Sequence, residues 1–139
     1  RYHEDYGLTI KILLNSKKTI ILPTSIYNYY IRSNSIMTTS NAEKNKKKAF
    51  DMLYFYDSMI LFLNDSIKDK EKCLSVKSYL TNGLLNNLNN LNSEYKKDFI
   101  EEVKKRNIEQ NLLSNTFTRK LKKLICKCNC SIYAKMFNK

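Results

Sequence analysis

Glycine and proline are nearly missing from this chain, which has two Gly and one Pro in 139 residues. These residues punctuate turns, so tight reversals are sparse, and both Gly7 and Gly83 fall inside segments with otherwise helical spacing. The expectation is a mainly α protein. Tryptophan is absent, and histidine occurs once, at His3. No run approaches the ~20 apolar residues of a membrane-spanning helix, and no charged-then-apolar leader opens the chain. It is read as a cytoplasmic protein, soluble or peripheral at the inner face of the cell membrane. Arginine is scarce as well, with only Arg1, Arg32, Arg106 and Arg119 among 25 basic residues. A charge of +12 carried by lysine lacks the planar forks that read base edges and phosphates. It describes a solvated surface with attraction for anionic lipid or sugar nucleotides, and a nucleic-acid role is the weaker reading.

At 42% hydrophobic residues, the chain has enough apolar surface for one core of ordinary size. Of its four cysteines, Cys73 stands alone while Cys126, Cys128 and Cys130 alternate. On a helix Cys126 and Cys130 share a face and Cys128 points away, which is poor zinc geometry. Free reduced thiols are expected, with a metal cluster or disulfide as the lesser alternatives. The first residue is Arg1 rather than Met, immediately before the strongest motif, as expected of a piece of a longer protein.

From Glu4 to about Ser16, Tyr6, Ile10, Leu13 and Leu14 form the stripe of a helix with one buried face. Glu4 and Asp5 then occupy its first turn, where exposed N–H groups favour carboxylates, so simple capping is one account of both. Thr19 to Leu22, closed by Pro23, and the aromatic-rich Ser25 to Ile31 have the character of two short strands. Ser33-Asn34-Ser35 reads as a loop at a strand end, where binding groups tend to sit. From Asn41 the pattern turns helical throughout. One long helix carries Phe50, Leu53, Met59 and Leu63, and others are expected over 70–91, 93–113 and 115–137, with short connections that favour an antiparallel bundle. The fold expectation is therefore a short α/β remnant, residues 1–40, followed by a bundle-like extension of about four helices, residues 41–139.

The last helix sets Arg119, Lys120, Lys122, Lys123, Lys127 and Lys135 among Leu121, Leu124, Ile125, Ile132, Tyr133 and Phe137. Such a pattern either packs on its own domain or lies on an anionic membrane surface. The helical region could also dimerise or meet a partner protein.

The order Glu4-Asp5, apolar helix with Lys17-Lys18, short strand, Tyr27-Asn28-Tyr29-Tyr30-Ile31-Arg32, then Ser33-Asn34-Ser35-Ile36 resembles the end of the catalytic domain of bacterial family 2 glycosyltransferases. The resemblance covers roughly the first forty residues. It implies an A-type fold, a nucleotide-sugar donor bound with a divalent metal (Mg or Mn), a glycan or lipid-linked acceptor in polysaccharide and cell-envelope biosynthesis, and inversion at the anomeric carbon. Asp5 corresponds to the general base, and Glu4 would orient acceptor or backbone. A positioned carboxylate suits that role, because an acceptor hydroxyl is a poor nucleophile until its proton is taken.

Arg32, beside small hydroxyl residues such as Ser35, suits a diphosphate or anionic acceptor through paired N–H donors, a surface ion pair being the alternative. His3 can contact acceptor or donor phosphate, or be incidental. Tyr27, Tyr29 and Tyr30 can stack on a sugar or simply pack. Without tryptophan the chain lacks the Gln-x-x-Arg-Trp motif of processive members, and no Asp-x-Asp occurs to hold metal and nucleotide phosphates. The donor half is therefore expected in a preceding segment, and this chain alone is expected to be inactive. The competing reading is a helical interaction or scaffold domain in which Glu4 and Asp5 only cap a helix.

Overall fold

The computed structural model describes residues 7–26, 28, 30 and 41–137. Its elements are α1 (Leu8–Asn15), α2 (Ala42–Ser66), α3 (Lys70–Asn86), α4 (Ser93–Lys105), α5 (Phe117–Cys128) and α6 (Cys130–Phe137). Short 3-10 turns at Asn87–Asn89 and Ile108–Asn111 follow α3 and α4. The protein is mainly helical, as its scarcity of glycine and proline implies.

Polar caps fix where most of these helices begin. The Asn41 side chain accepts from the Lys44 N–H at 2.8 Å, letting the lysine run 44–48 wind as the first turns of α2. Asp69 accepts from the Glu71 and Lys72 N–H groups at 3.0 and 3.1 Å. Those bonds, the Lys72 amide first, hold the exposed Asp69 carboxyl below the usual carboxylate range. Asn92 accepts from Tyr95 N–H and Thr116 from Arg119 N–H, starting α4 and α5. Each such cap satisfies a backbone donor that would otherwise lack a helical partner.

Several sequence expectations give way to local chemistry. The helix expected over 93–113 stops at Lys105, because Asn107 adopts a left-handed φ of 49°. The chain then turns through 108–111, and Ile108 and Leu112 still reach the core. The helix expected over 70–91 leaves α geometry after Asn86, where the Asn87 amide donates to the Leu84 carbonyl at 2.9 Å and competes with the backbone ladder. Leu88 and Leu91 remain buried.

The single helix expected over 115–137 is two. Asn129 is extended (φ −152°, ψ 95°), and its side chain accepts from the Ser131 and Ile132 N–H groups at 3.0 and 3.1 Å, ending α5 and capping α6. The break turns Cys130, Tyr133 and Ala134 into the core. Asn129→Ala is expected to cost about 1 kcal/mol through loss of that cap. A lowered urea midpoint with unchanged cooperativity would show it, and an unchanged midpoint would mean that the cap is not what sets the break.

The two expected strands are absent among the described residues. Residues 18–22 take no regular structure, and Ile20, Ile21 and Leu22 are 71%, 90% and 59% exposed. Ser25, Ile26, Asn28 and Tyr30 are likewise outside any strand. A β-branched run becomes a strand only when a neighbour completes its ladder, and no described segment lies alongside this one as a strand.

The first helix also differs from expectation. Gly7 sits left-handed (φ 81°) and the helix begins at Leu8, so no carboxylate stands in its first turn. Gly7 lies against α2: a Cβ added there would come within 1.7 Å of Met59 Cε. Ile10 packs on the core edge and the Lys11 ammonium lies 5.3 Å from the Phe62 ring centre, yet no residue of α1 is fully buried. Gly7→Ala adds a left-handed penalty of about 1–2 kcal/mol to that clash. It is expected to abolish amide-exchange protection over 8–15 while leaving α2 to α6 protected. Retained protection in α1 would show that Met59 yields.

The core is built around α2, whose Leu53, Tyr56, Met59 and Leu63 meet Leu80, Leu84 and Leu85 of α3. Phe99 of α4 is fully buried and meets Phe50 edge-on, with ring centres 5.6 Å apart. Lys46 over Tyr95 at 4.3 Å and Arg106 Nε bonded to Asp57 at 2.9 Å tie the two ends of α4 to α2.

A polar chain crosses the interior. The Thr81 hydroxyl donates to the Lys77 carbonyl at 2.8 Å, so Tyr56 OH donates to Thr81 Oγ1, also at 2.8 Å, and accepts from Asn111 Nδ2 at 2.9 Å. Every member of this chain is satisfied, which is what allows Thr81 to be buried at all. Burial is the main cause pushing the Tyr56 phenol above its ordinary range.

Candidate functional site

Every site residue expected from the sequence, His3, Glu4, Asp5, Arg32 and Ser35, lies outside the described residues. Tyr27 and Tyr29 do too, and Tyr30 is largely exposed. Two places among the described residues carry chemistry.

The first is a cleft of about 260 Å³ between α3, α5 and α6, lined by Ser78, Asn82, Leu113, Arg119, Tyr133 and Phe137, with Lys122 at its edge. Its polar groups are occupied within the fold. Ser78 Oγ accepts from the Leu113 N–H at 3.2 Å, Tyr133 OH donates to Asn82 Oδ1 at 2.6 Å, and Arg119 Nη1 donates to Asn115 Oδ1 at 2.7 Å. The Lys122 ammonium lies 4.5 Å from the Phe137 ring centre. Burial pushes the Tyr133 phenol up to about 12, so it stays protonated and can keep donating. The Tyr133–Asn82 bond joins α6 to α3 and the Leu113–Ser78 bond ties the segment after α4 to α3, so these groups serve the packing of the bundle.

The second is the outward side of α5. Thr116 starts the helix, and one turn faces inward through Cys126, with Ile125 and Lys122 half-buried. On the opposite side Phe117, Leu121 and Leu124 are 83%, 47% and 57% exposed, and Cys128 is exposed beside them. The spacing i, i+4, i+7, i+11 puts these four in one narrow arc of the helix. Lys120, Lys123 and Lys127 form the adjoining row at i, i+3, i+7. They border a groove of about 360 Å³ with Asn107, Glu109, Gln110 and Leu124. Lys123 Nζ donates to the Gln110 carbonyl at 3.0 Å, which fixes one ammonium at the groove wall.

The sequence marks this helix as one that either packs on its domain or meets a membrane surface, but it treats the apolar residues of 115–137 as one stripe, so which of them face outward is not resolved. The signal was there: Phe117, Leu121, Leu124 and Cys128 fall on one side, while Ile125 and Cys126 fall on another. Which stripe meets the core could not be told apart without the break at Asn129.

All four cysteines are free thiols. Cys130 Sγ donates to the Cys126 carbonyl at 3.0 Å and Cys73 Sγ to the Leu63 carbonyl at 3.5 Å, both buried. The Cys126 thiol is buried, and its hydrogen bond with Cys130 together with that burial pushes it up. Among the described residues no group of three or more His, Cys, Asp or Glu side chains could hold a metal ion. The divalent metal that the family resemblance implies has no ligand set among the described residues. Also among the described residues, no helix is long and apolar enough to cross a membrane.

The described fold and site thus define a small helical bundle with a basic, amphipathic helix, α5, next to its last one. Comparison with protein-family models, curated proteins and solved structures finds no match.

Proposed function

We propose that residues 1–40 are the closing segment of the catalytic domain of an inverting, non-processive bacterial glycosyltransferase, and that residues 41–139 are a helical extension serving it. What supports this is the order and spacing of Glu4-Asp5, the helix with Ile10, Leu13 and Leu14, Lys17-Lys18, the Tyr27-to-Arg32 run and Ser35-Ile36. In the reaction, the acceptor hydroxyl oxygen bonds to the anomeric carbon as the nucleoside diphosphate leaves with the bonding electrons, and the hydroxyl proton passes to the Asp5 carboxylate. Glu4 orients the acceptor or the backbone. Arg32, with Ser35 and His3 nearby in sequence, supplies donors to diphosphate or acceptor.

A bound divalent metal would neutralise the donor diphosphate, and in this reading the parent enzyme holds it and the nucleotide mostly through residues outside this chain. This chain alone is then inactive, and its setting is the cytoplasmic face of the cell envelope. The test is sugar transfer by the parent enzyme with Asp5 replaced by Asn.

A second reading has its own observation. The uncovered Phe117, Leu121 and Leu124 arc is what a helical interaction module presents, whether to a second copy, another protein or a membrane. In that role Glu4 and Asp5 need no chemistry.

A further inference from the structure

We infer that α5 is a docking helix for an anionic phospholipid surface, with Phe117, Leu121 and Leu124 entering the headgroup boundary and Lys120, Lys123 and Lys127 contacting lipid phosphates. This rests on the interaction role of the helical region and is independent of glycosyl transfer.

Three observations converge on a lipid occupant. The apolar arc is uncovered although inward residues of the same helix are half-buried or buried, so α5 has already spent one face on the core and presents a second. A helix that only packs on its domain needs no second apolar face. Next, the basic row lies along one edge of that arc and lines an open groove where Lys123 is held by Gln110, and Lys120 and Lys127 are exposed. A row of ammonium groups level with an apolar edge matches the depth order of a bilayer, phosphate outside acyl chain.

Lastly, charge is one-signed over the whole terminal region. No Asp or Glu occurs from residue 110 to 139, while Arg119 and six lysines do. The single carboxylate at the groove is Glu109. A second copy would leave this excess uncompensated, since its matching surface is equally basic. A membrane rich in anionic lipid compensates it. Beyond the Asn129 break, Ile132 and Met136 of α6 are also exposed, 48% and 56%, beside Lys135. A helix of 12 residues is roughly 18 Å long, enough to lie in the interface and too short to span it.

The test is co-sedimentation of the chain with phosphatidylcholine vesicles and with vesicles of equal parts phosphatidylcholine and phosphatidylglycerol. Binding is expected to the mixed vesicles, to weaken steeply as salt rises, and to be slight on phosphatidylcholine alone. Lys120→Gln with Lys127→Gln touches no hydrogen bond or contact that holds α5 to the bundle and is expected to lower mixed-vesicle affinity roughly 25-fold, at about fivefold per lysine. Leu121→Asp with Leu124→Asp is expected to lower it at least about tenfold. Unchanged far-UV circular dichroism in both variants would show that the bundle persists.

Equal binding to both vesicle types, no binding to either, or full affinity in both variants would overturn the proposal. So would displacement from vesicles by a short RNA, which would mark a nucleic-acid site, or a dimer in sedimentation equilibrium that Leu121→Asp with Leu124→Asp dissociates, which would assign the arc to a second copy. Vesicle binding with no transferase activity in the parent protein would leave this inference intact while removing the catalytic one.

Discussion

Phe99→Ala is expected to remove about 3–5 kcal/mol of stability, a large share of the about 5–15 kcal/mol that holds a domain of this size together. Phe99 is fully exposed to truncation effects because it is completely buried between α4 and α2 and stacks edge-on against Phe50. Removing the ring deletes its burial, opens a cavity that the surrounding helices cannot close without sliding, and loses the ring pair. Helix α4 has only one other fully buried side chain, Val103, with Tyr95 and Ile100 partly buried at the core edge, so Phe99 is its largest fully buried anchor. Urea unfolding followed by circular dichroism measures this directly. A loss below about 1 kcal/mol would mean that α4 does not pack on α2 in solution. Its surface anchors, Lys46 over Tyr95 and Arg106 with Asp57, cannot substitute, because exposed charge contacts are worth about 1 kcal/mol or less.

In the parent glycosyltransferase, Asp5→Asn is expected to lower sugar transfer by about 10²- to 10⁴-fold with nucleotide-sugar binding kept. The substitution is chosen to separate chemistry from structure. Asparagine keeps the size and hydrogen-bonding reach of aspartate without its charge, so an Asp5 with no part in the chemistry predicts unchanged turnover and unchanged stability. A general base predicts lost turnover at unchanged stability. Transfer assays of the purified enzyme beside its thermal melting distinguish the two. Turnover within a few-fold of the original would remove Asp5 as base and leave the helical interaction role as the account of this chain.

Helix content was legible in the sequence because it depends on local terms. Scarce Gly and Pro and apolar spacing near 3.6 act within a few residues, so α2, α3 and the starts of α4 and α5 are visible in the letters, while the structure adds the caps Asn41, Asp69, Asn92 and Thr116 that fix where they begin. The same locality explains the errors. Asn107 and Asn129 read as ordinary helix-surface residues, yet one adopts a left-handed turn and the other caps a new helix. Both breaks are chosen by what they deliver, Ile108 and Leu112 in one case and Cys130 and Tyr133 in the other, to a core contributed by α2 and α3.

The run Thr19 to Leu22 shows the converse. Its β-branched letters satisfy strand propensity, but a strand is a pairing, and its partner is not decided by the run itself. The candidate catalytic residues were legible only as an ordered spacing, since His3, Glu4, Asp5, Arg32 and Ser35 lie outside the described residues.

What the sequence by itself determined is the class: a lysine-rich, mainly helical chain whose helices mostly begin where polar caps stand, because those choices are made by neighbouring residues. Tertiary structure alone decided which of two apolar stripes on α5 is spent on the core. Packing of Ile125 and Cys126 inward leaves Phe117, Leu121 and Leu124 uncovered beside a row of lysines, and burial is a competition among helices that no single helix can settle.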